Sequence, residues 1–240
     1  MSSENGYHVL HLESGEELSA KCILISSGAS YRKLTVDGCE RLEGAGVYYA
    51  ATAVEAQLCG GAQVVVVGAG NSAGQAAVFL SERADKVLLL IRSDDLGKNM
   101  SQYLTRRIEQ TANIDVRRHT EISKMDGAQS LATVELICTQ TGQCETVVCL
   151  AVFIFIGAIP HTTWLPDVIQ VDRNGFVKTG LQLMESSAWP LRRQPFLLET
   201  SCPGIFAAGD VRFGSTKRVA SAVGEGAMAV QFVHEYLASS

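Results

Sequence analysis

The residues best suited to chemistry in this 240-residue chain form a glycine loop, Gly68-Ala-Gly70-Asn-Ser-Ala73. Its two glycines allow a tight turn and a close backbone approach, and Ala73 is the small residue a helix needs to pack on a strand. Amides at the start of that helix, on Asn71, Ser72 and Ala73, would face a pyrophosphate, and the helix dipole would favour its charge. The end of the next apolar run bears on which nucleotide is bound. An NAD site carries Asp or Glu there to accept from the ribose hydroxyls, whereas here Ile91 is followed by Arg92 and Ser93. Arg92 suits a 2′-phosphate, which favours NADPH, while Asp94 and Asp95 keep NADH open.

The same loop satisfies a second pattern, Gly70-x-Ser72-x-Gly74, the nucleophile elbow of a serine esterase of α/β-hydrolase type. Asp210 and His234 follow in the order such a triad needs. Against it, the upstream segment is Cys59-Gly-Gly61 without the histidine of an oxyanion-hole motif, and His234 falls in a helical pattern rather than a loop. His8 and His11 suggest a metal pair, but a spacing of three on a strand sends them to opposite faces, and no metal site is expected.

These residues must be positioned by regular elements. Val64 to Val67 is a continuous β-branched run, as in a strand buried on both faces of a parallel sheet. Ser72 to Arg83 has helical spacing of Ala76, Ala77, Phe79 and Leu80, and Lys86 to Ile91 is a second buried strand, completing one βαβ unit. Strands are expected over 114–119, 131–138 and 146–156, a turn at Thr141-Gly142, and a hairpin turn at Asp172-Arg-Asn-Gly175. At the start, 8–12 and 20–26 are expected to pair through Glu13-Ser-Gly-Glu-Glu. Ser201 to Asp210 holds a short buried strand ending in a carboxylate, and Ala220 to Leu237 is a closing helix.

Composition narrows the class. With 47% hydrophobic and 19% charged residues, 22 Gly and 5 Pro, the chain is neither disordered nor collagen-like. A net charge of −5 works against phosphate-backbone binding, so nucleic acid is not an expected partner. Seven cysteines, no two of them separated by only two residues, lack the spacing of zinc knuckles and dithiol motifs and suit a reducing, cytoplasmic setting. The N-terminal residues show no secretory pattern. The longest apolar run, Val147 to Ile156, is half of the roughly 20 residues a membrane span needs.

Taken in order, the motifs resemble the thioredoxin-reductase-like FAD/NAD(P)H oxidoreductases. They are Ile25-Ser-Ser-Gly28-Ala29, Tyr31-Arg-Lys-Leu34, Gly46-Val-Tyr-Tyr49, the Gly68 loop, Gly157-x-x-Pro160 and Pro203-Gly-Ile-Phe-Ala-Ala-Gly-Asp210. The resemblance implies an α/β fold with a complete Rossmann-like NAD(P)H-binding domain, 48–160, inserted in an incomplete FAD-binding domain of the same three-layer type, 1–47 and 161–240. It implies Gly157 at the NADPH, Gly28, Gly209 and Asp210 at the FAD, and Arg218, Val219 and Ala220 beside the isoalloxazine.

Two departures accompany it. The family's redox-active Cys-Ala-Thr-Cys would fall on Ala50-Ala-Thr-Ala53, so no disulfide relay is expected. The family's N-terminal glycine-rich βαβ unit, which cradles the ADP half of FAD, is expected to be missing, leaving an apolar face and a tendency to form homo-oligomers. The expected activity is hydride transfer from NADPH to FAD and on to an unidentified electron acceptor, with no evident general acid or base. The alternatives are a non-catalytic NADPH-binding remnant or subunit, and the Ser72 esterase.

Overall fold

The Val64–Val67 and Leu88–Leu90 runs have no polar side chain to turn toward water, so each strand needs cover on both faces. The computed structural model, which describes residues 2–4, 6–186 and 189–239, supplies that cover in a unit spanning Tyr31–Gly157. Its centre is a five-stranded parallel sheet in the order Val47–Tyr48, Ala151–Ile154, Gln63–Val67, Lys86–Leu90 and Ile114–Arg117.

Alternate residues of each strand face opposite sides. Val64, Val66, Val87 and Leu89 pack with the helices α1 (Ala53–Leu58), α2 (Asn71–Ser81) and α3 (Gln102–Glu109) through Ala56, Ala73, Ala77, Leu80, Leu104 and Ile108. Val65, Val67, Leu88 and Leu90 pack beneath a three-stranded antiparallel sheet, Thr120–Asp126, Thr133–Cys138 and Cys144–Val148. The result is three layers: helices, parallel sheet, antiparallel sheet.

Several elements differ from the sequence pattern for identifiable reasons. The apolar run 146–156 is two strands, because Cys149 donates to the Ala132 carbonyl while Leu150 donates to Gln63, so the chain changes sheets between them. Thr120–Asp126 carries a bulge between Ile122 and Lys124, which brings Ile122 and Met125 into one core at a spacing that alternation does not predict. Helix α3 buries only Leu104 and Ile108 and is otherwise polar, leaving little periodic signal.

The second unit comprises Met1–Ser30 and Ala158–Ser240. The strand expected over 20–26 does not form the hairpin. Tyr7–His11 pairs instead with Glu17–Ala20, with His8 opposite Ala20 and His11 opposite Glu17. Ile23–Ile25 lies parallel to Ile205–Ala207. The polar stretch Glu17-Leu-Ser-Ala lacks a buried face and reads as loop from sequence. His8 is buried and donates from Nε2 to the Pro203 carbonyl at 3.1 Å, while His11 is exposed beside Glu17.

The crossings between units fall after Ser30 and after Gly157, not after 47 and 160. Leu34, Val36, Cys39 and Leu42 belong to the core beneath the parallel sheet, which carries that segment into the Tyr31–Gly157 unit. Among the described residues no helix is long and apolar enough to cross a membrane.

The C-terminal helix α4 (Val219–Ser239) is anchored by a polar cluster as well as by Phe206 and Ala229. Glu199 is fully buried; its carboxylate accepts from Arg193 at 2.7 and 2.8 Å and from the amides of Phe196 and Gly204, both at 3.0 Å. Arg193 lies over the rings of Phe196 and Tyr236. Replacing Glu199 with Ala leaves two amides and a guanidinium without their acceptor. Urea denaturation is expected to show a loss of about 3–5 kcal/mol, with Glu199→Gln losing less.

Candidate functional site

In the parallel sheet the chain runs outward on one side from Gln63–Val67 through Lys86–Leu90 to Ile114–Arg117, and on the other to Ala151–Ile154 and Val47–Tyr48. Its order therefore reverses between Gln63–Val67 and Ala151–Ile154, and ligands of open α/β sheets bind at the carboxyl ends of strands at such a point. Gly68 and Gly157 follow these two strands.

Gly68 has φ +139°, and a Cβ there would lie 2.4 Å from the Phe155 carbonyl oxygen and 3.2 Å from Ala73 Cβ. Ala73 is fully buried. Gly68 and Ala73 are thus small because strand, loop and helix meet there. Gly70 is different: it is the N-cap of α2 at φ −93°, and nothing lies within 4 Å of the position a Cβ would take. No side chain caps α2, and its first turn has no acid. The Asn71 side chain accepts from the Ser101 amide at 2.8 Å and so joins α2 to α3. Ser72 is exposed on the first turn.

At the end of Lys86–Leu90, Arg92 is exposed and forms no hydrogen bond or ion pair among the described residues. Ser93 Oγ donates to the Asp95 carbonyl at 3.0 Å, and Asp95 Oδ1 accepts from the Gly97 amide at 2.7 Å. Asp95 is therefore turned onto its own loop. Gly157 is exposed at φ +103°, and its carbonyl accepts from the Arg32 amide at 3.0 Å.

In the other unit, Gly28 lies at φ +73° with open space beside it. Gly209 and Asp210 form a short 3-10 turn with Val211. The turn is held by two residues that the motifs do not include. Glu225 is buried, accepts from the Gly209 amide at 2.7 Å and is paired through both oxygens with Arg212. Lys217 Nζ donates to the Asp210 carbonyl at 2.9 Å and sits over the Phe176 ring. One signal in the sequence could have found Glu225: it is the only charged residue between Val219 and Phe232. Asp210 Oδ1 and Oδ2 have no hydrogen-bond partner among the described residues. Arg218, Val219 and Ala220 are exposed at the start of α4, Val219 at 83%.

Burial opposes ionisation of Glu225, but the Arg212 hydrogen bonds and the Gly209 amide outweigh it and hold the carboxyl below its ordinary 4.5. Burial pulls the Lys217 ammonium below its ordinary range, against Asp210 and Glu225.

The esterase geometry is not built. An elbow serine sits on a strained turn, whereas Ser72 is an ordinary helical residue and only His119 among the described non-glycine residues has a positive φ. His234 lies within the helix α4 and not on a loop. The Ala50–Ala53 segment leads into α1, where Thr52 Oγ1 accepts from Val54 and Glu55 accepts from the Thr52 amide at 2.9 Å. All seven cysteines are free, and burial raises the thiol of Cys59, the nearest in sequence.

A parallel sheet between two layers, with a glycine loop at its switch point, defines a Rossmann-like dinucleotide fold. Residues 2–226 match the family model described as pyridine nucleotide-disulphide oxidoreductase, and the chain belongs to that family. It is 30% identical over 230 residues to the thioredoxin reductase of Treponema pallidum (strain Nichols), an alignment covering 95% of this chain and 69% of that protein. It is 29% identical over 231 residues to the NADH dehydrogenase of Bacillus subtilis (strain 168), covering 95% and 41%. The crystal structure of thioredoxin reductase from Streptococcus pyogenes MGAS5005 matches with a TM-score of 0.77 at 30% identity, over 100% of this chain and 72% of that one. The chain thus spans only part of the length of each.

Two substitutions separate the glycines by role. Gly68→Ala is expected to cost about 3 kcal/mol in denaturant unfolding, from the clash and the φ, and Gly70→Ala under about 1 kcal/mol. Because the folded pKa of Glu225 lies below its unfolded value, its contribution is complete above about pH 4.5 and is lost as pH falls through the folded value. Glu225→Gln should flatten that acid limb in denaturation measured from pH 7 to 3.

Proposed function

We propose that the chain is the pyridine-nucleotide part of a flavin-dependent oxidoreductase that takes hydride from NADPH to FAD and passes the electrons to an acceptor without a Cys-x-x-Cys dithiol. The carrying observation is the contrast between the two loop glycines. Packing explains Gly68, whereas Gly70 has an ordinary φ and open space beside it. A glycine that the fold does not require, at an uncapped helix start, fits close approach by a pyrophosphate.

In this reading the amides of Asn71, Ser72 and Ala73 take the pyrophosphate, Gly157 leaves room on the neighbouring strand end, and Arg92 with Ser93 meets the adenosine ribose. The unpaired Arg92 guanidinium supports NADPH over NADH, and the engagement of Asp95 with Gly97 removes one acceptor for a free 2′-hydroxyl.

FAD, when bound, supplies the hydride-accepting chemistry, and the protein supplies orientation. The residues present fit it. The Asp210 carboxylate is available to accept from ribityl hydroxyls, because Lys217 holds its main chain and Glu225 holds Gly209. Arg218, Val219 and Ala220 leave an exposed helix start for a flat ring, and Gly28 leaves space near the Ile23–Ile25 strand end. Free thiols throughout suit a reducing, cytoplasmic setting.

The test is one preparation. The chain is purified, its visible absorbance recorded, and NADPH and NADH titrated by calorimetry. A yellow protein bleached by NADPH, with Gly70→Ala weakening NADPH at least tenfold while leaving stability nearly unchanged, supports the reading. A colourless protein that binds NADPH reduces it to a nucleotide-binding subunit. Absence of nucleotide binding overturns it.

A further inference from the structure

The glycine-loop motif does not include a cation that the third parallel strand brings to the same place. Ile114–Arg117 lies beside Lys86–Leu90 with Arg117 opposite Leu90, so Arg118 and His119 come level with the segment from Ile91 to Ser93. Three backbone hydrogen bonds fasten the two segments: Ile91 to the Arg117 carbonyl at 3.0 Å, Thr120 to Ile91 at 3.1 Å and His119 to Ser93 at 3.4 Å.

The turn that carries Arg118 is held in an uncommon shape. His119 has φ +51°, the one positive value among the described non-glycine residues. Its carbonyl accepts from both the Thr139 amide, at 2.7 Å, and the Thr139 hydroxyl, at 3.1 Å, which hold it in the left-handed region. Arg118 Nε then donates to the Asp94 carbonyl at 3.0 Å. Its side chain is thereby drawn onto the loop that follows Arg92.

We propose that Arg118 and Arg92 form a two-arginine clamp for the 2′-phosphate of the nucleotide. The proposal rests on the reading that the Gly68 loop holds NADPH and adds to it a specificity-determining residue from another strand. A phosphate dianion is met best by guanidinium N–H forks, which make charge-assisted and often paired hydrogen bonds. The bond from Nε to Asp94 orders the Arg118 side chain before ligand arrives, which lowers the cost of ordering it on binding. It also leaves both Nη groups available. Arg92 has no competing partner among the described residues, and the anionic neighbour Asp95 already accepts from Gly97.

The test uses the full chain and reads binding rather than turnover. NADPH, NADH, adenosine 2′,5′-bisphosphate and 5′-AMP are titrated calorimetrically into the unsubstituted chain, R92M, R118M and R118K. R118M is expected to weaken NADPH and the bisphosphate at least tenfold and to leave NADH and AMP within twofold. R118K keeps the charge but loses the planar fork, and a loss of about three- to fivefold for the two phosphorylated ligands is expected. R118M weakening NADPH and NADH alike would show Arg118 only shaping the loop, and would overturn the clamp. Unchanged NADPH affinity in R118M, with R92M weakened, overturns it too. Should R118M not fold by circular dichroism, R118K decides, unchanged NADPH affinity again counting against the proposal. Failure of the unsubstituted chain to bind any of the four overturns the nucleotide reading itself, and the clamp with it.

Discussion

The Phe155 carbonyl and Gly68 approach so closely that no side chain can stand between them, and the nucleotide-type unit depends on that contact. It lets the Gln63–Val67 strand turn directly into α2 while its neighbour Ala151–Ile154 runs on beside it. The same economy of volume continues along the helix. Ala73 rests on the loop, and a Cβ on Gly74 would come within 2.6 Å of the Met100 sulfur. Small residues at 68, 73 and 74 therefore set α2 on the sheet and α3 on α2. The first-turn amides of α2 are left pointing out of the carboxyl end of the sheet without a side-chain acceptor. In the proposed reading, the anion site is thus a by-product of close packing.

The other unit achieves definition differently, with buried carboxylates as hubs. Glu199 gathers Arg193 and two backbone amides, and Glu225 gathers Arg212 and the Gly209 amide. In a medium of low dielectric each such charge holds its partners firmly when fully hydrogen-bonded and would be costly if it were not. The consequence is local. Glu225 and Lys217 fix the backbone of the Gly209-Asp210 turn from behind, so the Asp210 carboxylate need not serve the fold. The residues in front, Arg218 to Ala220, stay exposed.

The cysteines bear on how electrons would leave such a protein. Dithiol exchange requires two thiols within bonding reach and one of them ionised. Here the segment before α1 carries Ala50 and Ala53 and is organised as a helix cap by Thr52 and Glu55, while buried Cys59 has its thiol raised. The relatives this chain is similar to include one named as a thioredoxin reductase and one named as an NADH dehydrogenase. The proposed acceptor chemistry accordingly rests on the flavin side and not on a thiol relay.

Much of the central unit was legible in the amino-acid sequence. Continuous β-branched and leucine runs of this short length suit strands covered on both faces, and a glycine loop between one of them and an alanine-rich helix has few other uses. The βαβ core, a short buried strand within Ser201–Asp210 and the closing helix followed from such local patterns, although the strand stops at Ala207 and Asp210 falls in the 3-10 turn after it. Pairing was another matter. Whether Ile23–Ile25 joined the hairpin or Ile205–Ala207, and where the run 146–156 changed sheets, depended on backbone partners far along the chain, which periodicity does not encode. The sequence also could not separate Gly68 from Gly70, since both are glycines in one motif; it left Arg118 and Lys217 unmarked and marked Glu225 only as a lone charge in an apolar helix. Only the tertiary structure decided those, because their roles arise from hydrogen bonds to carbonyls and amides that the fold brings beside them.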